Sequence, residues 1–188
     1  RLDTVLRKNG SACRRLDGVL VVLNKRDKVK KPRFKLWDED QRLAYLINLY
    51  NAATLKLIVD NYPVKSIKDI GWFFKGPWDQ EFVKLFGNTI TLNTLEHEII
   101  RKDFDEPRIH IALVCAAKGC PALRSEAYAA ERLDSQLDDQ AKIFLGGSTG
   151  LQINRSKKIV YVSSIFKWYG TDFIKKYTPE SGYRGLNE

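Results

Sequence analysis

The segment Leu95-Glu96-His97-Glu98-Ile99-Ile100-Arg101 gathers acids, an imidazole and a guanidinium within seven residues. It stands one residue away from His-Glu-x-x-His, the zinc-protease signature, which works because positions i and i+4 set two imidazoles on one helix face. Here Arg101 occupies the second position, and a guanidinium that stays protonated cannot ligate zinc. The chain has two histidines, His97 and His110, so no third can complete such a site. What the spacing does provide is His97 and Arg101 on one helix face, with Glu96 and Ile100 on the adjacent one. Glu96 has two readings: it caps its own helix from the third position after Asn93, or it orients a histidine.

A second set of reactive groups lies nearby. The cysteines are Cys13, Cys115 and Cys120, an odd count that argues against a disulfide framework. Cys115 and Cys120 sit close enough in sequence to pair if the protein reaches an oxidising compartment. Cys120 follows Lys118-Gly119 and precedes Pro121, which suits the first residue of a helical turn. A thiol at a helix N-terminus beside a lysine has a depressed pKa, the property a nucleophile needs. A buried inert thiol and a disulfide to Cys115 are the competing readings.

These groups need a frame. Asp38 opens a strong helix that ends before Pro63, with acids in its first turn and Leu43, Ile47, Tyr50, Leu57 and Val59 at helical spacing. Residues 71–80 read as an aromatic loop, and residues 81–92 as a hairpin around Gly87-Asn88. Asn93 starts the helix that carries Glu96, His97 and Arg101 to about Phe104. Residues 108–115 (RIHIALVC) read as a strand buried on both faces. On it His110 shares a face with Ala112 and Val114, while Cys115 falls on the other with the core residues. Ser125 begins a long helix that Gly146-Gly147 ends, a second hairpin turns around Arg155-Ser156, and Ser164 caps a short aromatic helix. Helices and short strands are segregated, which gives an α+β class: helices packed on a small, mainly antiparallel sheet. Papain-like and transglutaminase-like folds are the analogy for a cysteine and histidine so arranged.

The 188 residues suffice for one domain with a real core, taken as residues 36–188 behind a basic helical lead-in and linker, 1–35. The lead-in reads as helical over 1–24, with a break near Asn9-Gly10. The net charge of +9 is carried by that lead-in, with twelve Lys/Arg against Asp3, Asp17 and Asp27; the remainder is neutral. A basic leader on a neutral body is not a specific nucleic-acid-binding domain. Lys25 to Lys35 can attract phosphates or anionic lipid, or simply form a solvated linker. No apolar run approaches the roughly 20 residues that span a bilayer. A chain that opens on Arg1 and holds no methionine reads as trimmed, so the missing export signal says nothing of compartment.

The strings NLYNAATL (Asn48 to Leu55), YPVKSIKDIG (Tyr62 to Gly71), LEHEIIR and PRIHIALVCAAKGCPAL (Pro107 to Leu123), supported by residues 126–140 and 163–173, resemble the family catalogued as domain of unknown function 547. The resemblance covers about residues 36–175, in six blocks in the family's order. The family pattern falls here on Asn48, Tyr50 and Asn51; Glu96, His97 and Arg101; Arg108 and His110; Cys115, Cys120 and Pro121. It implies that Glu96, not Glu98, partners His97. It carries no activity, and it implies an extracytoplasmic home, since members often carry export signals.

Three functional classes follow. A thiol-dependent hydrolase or acyl transferase would use Cys120 as nucleophile, His110 or His97 as base, and Glu96 or Asn51 to orient it. A non-catalytic module would bind a small anionic molecule, a peptide or a partner protein in a polar cleft of Asn48, Tyr50, Asn51, Arg101, Arg108 and His110, because arginine forks suit carboxylates. A zinc site of His97, His110 and Cys120, with Cys115 or Glu96, has the right ligand types but no recognised spacing. No pattern calls for a cofactor.

Overall fold

The computed structural model describes residues 29–71, 75–116 and 119–179. The readings made for residues 1–24, for the middle of the aromatic loop and for Lys118 lie outside the described residues.

The described residues are mostly helical, with two small two-stranded antiparallel sheets among them. A short helix, α1 (Lys31–Lys35), precedes the central helix α2 (Glu39–Asp60). Its start follows from Asp-x-x-Gln: the Asp38 carboxylate accepts from the Gln41 N–H at 2.7 Å, and Gln41 Oε1 accepts from the Asp38 N–H at 3.3 Å. Leu46, Ile47, Tyr50 and Leu57 are buried, and the core reaches back to Phe34 on α1, inside the stretch read as linker. Val59 faces outward.

The first hairpin pairs β1 (Val83–Leu85) with β2 (Asn88–Ile90). Its turn is Phe86-Gly87, one residue earlier than the sequence suggests. Both residues take positive φ, 53° and 88°, as a two-residue turn matching strand twist requires.

The next helix departs from expectation in two ways. Its cap is Thr91, whose hydroxyl accepts from the Thr94 N–H at 2.9 Å, whereas Asn93 is already helical and makes no capping bond. From Thr94 to Ile100 it is a π-helix, and the Arg101 N–H bonds to the Glu96 carbonyl, one residue wider than an α-turn. It runs on as α3 (Arg101–Asp103).

Residues 108–115 do not form a strand. Ile109–Ala112 is a single helical turn, α4, with all four residues buried. A short apolar run buried on every side gives no periodicity that separates strand from helix. Without that strand, the sheet expected beneath the helices is replaced by two separate hairpins.

The long helix α5 spans Leu133–Gly146, after a 3₁₀ turn at Ala130–Arg132, and not from Ser125. Residues 126–129 have good helix formers, but tertiary bonds override propensity. The Glu126 carboxylate accepts from Arg124, Arg132 and the Gln136 side chain, while Gln136 Oε1 takes the Ala129 N–H at 2.8 Å.

The second hairpin, β3 (Leu151–Asn154) with β4 (Ile159–Val162), forms where expected, and the Ser163 N–H closes its base on the Gly150 carbonyl at 2.9 Å. Ser163, not Ser164, caps α6 (Ser164–Trp168), and α7 (Gly170–Tyr177) follows after a break at Tyr169. α4 joins two apolar cores. Ile109 and Ala112 belong to the large core around α2; Ile111 packs with Phe144 and Ile165 in a smaller one that Tyr169 and Phe173 cover.

Candidate functional site

The π-helix, α4 and the start of α7 converge on one ring, Tyr169. His110 lies flat on it, with ring centroids 3.7 Å apart and planes 10° from parallel. His97 stacks more loosely at 6.3 Å, and the Arg101 guanidinium stands 5.4 Å from the ring centroid. The Tyr169 hydroxyl donates to Glu96 Oε1 at 3.1 Å. Glu96 is free to accept because Thr91 has taken over the cap. The hydroxyl of Tyr50 on α2 faces the same carboxylate; burial first, then the charge of Glu96, pushes its pKa up.

Asp172 closes the other side. It takes a two-pronged bond from Arg101, Nε at 2.6 Å and Nη2 at 2.9 Å, and it meets His110 Nε2 at 2.8 Å. The Arg101 fork is the main reason its pKa falls to about 2. An ionised Asp172 only accepts, so His110 donates from Nε2. Nδ1 is then a bare lone pair, buried without a hydrogen-bond partner. Burial lowers the His110 pKa, outweighing the Asp172 bond that raises it, so the imidazole is held neutral.

Glu96, His97, Arg101 and His110 are thus assembled as a cluster. Cys120 is not part of it. It forms a disulfide with Cys115, and the residues after it have no helical turn to lower a thiol pKa. A disulfide sulfur has no thiolate, and neither His110 nitrogen reaches a cysteine, so the expected nucleophile–base contact is absent from this structure. The zinc arrangement is likewise not assembled. Among the described residues no group of three or more His, Cys, Asp or Glu side chains could hold a metal ion.

The expected polar cleft also resolves differently. Asn48 clamps the backbone of Tyr128, giving a hydrogen bond to its carbonyl at 2.7 Å and accepting from its N–H at 2.9 Å. Asn51 does the same across α4: to the Ala112 carbonyl at 3.0 Å, and from the Val114 N–H at 2.9 Å. Both side chains brace backbone inside the fold. Arg108 is gripped by Glu106, Asp134 and Asp138. Its pKa is pushed up, chiefly by the Glu106 hydrogen bond. The arginine forks expected for an outside carboxylate already hold inside ones.

A cavity of about 230 Å³ lies beside the Arg101–Asp172 pair. Phe104, Pro107 and Ile109 give it apolar walls; Lys102, Lys175, Asp103, Asp105 and Glu106 add charges of both signs. Lys102 and Lys175 keep most of their side chains in solvent, at 70% and 74% exposure, with only loose contacts to Glu98 and Asp105.

Sequence reasoning missed Tyr169 and Asp172. The available signal was Tyr169-x-x-Asp172 in the C-terminal aromatic helix, an aromatic ring and a carboxylate spaced for one helix face. The model of the family described as "Protein of unknown function, DUF547" matches residues 34–145, and Tyr169 and Asp172 lie beyond that match. No curated protein and no solved structure matches the chain.

Proposed function

The chain belongs to the DUF547 family, proteins of unknown function, and we propose that its domain is a binding module rather than a thiol enzyme. The ligand is a small molecule or peptide end bearing a carboxylate, seated in the cavity beside Arg101 and Asp172. The observation that supports this most is the make-up of that cavity: a mainly charged lining of both signs around a few apolar side chains, with Lys102 and Lys175 largely in solvent. Their ammonium groups suit a carboxylate as point charges, while Asp103 and Asp105 suit an accompanying amine. The network behind the cavity favours a rigid receptor over a thiol enzyme, since its charged groups are mutually bonded and Cys115 and Cys120 are tied in a disulfide. An extracytoplasmic home fits the same reading, because disulfides such as Cys115–Cys120 persist in oxidising compartments.

A thermal-shift screen over amino acids, other carboxylates, phosphates and small thiols tests the proposal. A ligand at a hundred times its Kd should add about 2.7 kcal/mol of stability, and the K102A/K175A variant should lose that shift. The reading fails if nothing in the set stabilises the protein, or if the double variant responds like the parent.

A further inference from the structure

The β3–β4 hairpin has a face that the fold leaves open. Its register sets Leu151 opposite Val162 and Ile153 opposite Val160. Cross-strand partners point the same way, so these four aliphatic side chains form one continuous patch. Ile153, Val160 and Val162 are each 58% exposed. Single exposed aliphatics are ordinary, but a contiguous apolar sheet face marks a contact surface. The turn joining the strands carries Arg155, Lys157 and Lys158, and no acid occurs from Leu151 to Val162. Among the described residues none of the three cations has an ion-pair partner. Arg101, Arg108, Arg124 and Arg132, by contrast, each hold a carboxylate of the chain.

We propose that this hairpin docks on an anionic lipid bilayer. The aliphatic face enters the boundary between headgroups and acyl chains, and Arg155, Lys157 and Lys158 meet lipid phosphates and carboxylates. Charge complementarity selects this occupant. A second copy of the hairpin would bring the same uncompensated cations to the contact, and a neutral protein surface would leave them unused. Tyr161, on the opposite face of β4 and 53% exposed, has the amphipathic ring common at membrane interfaces.

Flotation of the full chain with vesicles of phosphatidylcholine, with and without phosphatidylserine, tests the proposal. Binding should require phosphatidylserine and weaken with salt. Reversing the turn charges (R155E/K157E/K158E) should reduce binding on the order of tenfold or more. V160T/V162T, which keeps the branched shape that strands favour, should also reduce it. Circular dichroism on both variants checks that the fold is retained. Three outcomes overturn the proposal. One is no binding to anionic vesicles. Another is binding that both variants retain, which would assign it to the basic segment 25–35. The third is self-association that V160T/V162T abolishes without any vesicle binding.

Discussion

Tyr169 and His110 are stacked face to face, 3.7 Å between ring centroids, and that pair fastens the C-terminal helices to the core. A neutral imidazole is a good stacking partner because its burial costs no charge. Tyr169→Phe keeps the stack and loses the bond to Glu96, which should cost about 1 kcal/mol. Tyr169→Leu loses both, and the missing aromatic pair adds about 0.5–1.5 kcal/mol. Urea unfolding should rank them parent, Phe, Leu; equal midpoints for the two variants would mean that the stack contributes nothing.

Acid should weaken this protein in two steps. The His110 pKa is lowered in the folded state, so the unfolded chain takes up a proton near its ordinary pKa of 6.5 that the folded chain refuses. Stability therefore falls as pH drops below that value. The Asp172 pKa is lowered from 3.8 to about 2, so its contribution is full above 3.8 and is lost as pH falls through about 2. His110→Phe should flatten the upper step and Asp172→Asn the lower one, in denaturation curves taken between pH 8 and pH 2. Parent-like pH slopes in both variants would contradict the assignment.

Asn51→Ala should destabilise by about 3 kcal/mol, since it strands the Ala112 carbonyl and the Val114 N–H, each costing about 1–3 kcal/mol when buried without a partner. Asn51→Asp keeps the bond from the Val114 N–H but faces the Ala112 carbonyl with a second acceptor, so it should not rescue stability. If Asn51 instead bound a ligand, its replacement would leave the melting temperature of the free protein unchanged.

The disulfide sets the thiol chemistry. Iodoacetamide on the unreduced protein, read by mass spectrometry, should spare Cys115 and Cys120. Reduction should expose both and cost about 2 kcal/mol, the modest value expected for so short a loop. Labelling of Cys120 before reduction would revive the nucleophile.

Parts of this architecture are legible in the chain itself. Asp38 and Gln41 announce the start of α2, because a capping box needs only residues three apart. Glu96, His97 and Arg101 declare themselves by spacing along one helix. The other half of the cluster comes from far away. Asp172 reaches Arg101 across 71 residues and His110 across 62, and Tyr169 reaches Glu96 across 73. No local pattern encodes such pairings.

The errors have physical causes as well. Asn48 and Asn51 look like exposed polar groups in a motif, yet their amides match a donor and an acceptor on a neighbouring backbone, and that makes them struts. Arg108 looks free until Glu106, two residues earlier in the chain, turns out to hold it. The strand assigned to residues 108–115 fails because α4 is one turn long, too short to display a helical period.

The wide turn of the π-helix makes length negotiable between Thr94 and Ile100. Removing a single residue there would relax the segment to an ordinary α-helix. A wide turn spends one residue more than an α-turn, so everything beyond the cut would stay close to its present angle. Arg101 would still follow Glu96 by one turn and keep facing Tyr169 and Asp172. A one-residue deletion is therefore absorbed along this stretch, whereas the same deletion in an α-helix would turn the rest of the helix by about 100°.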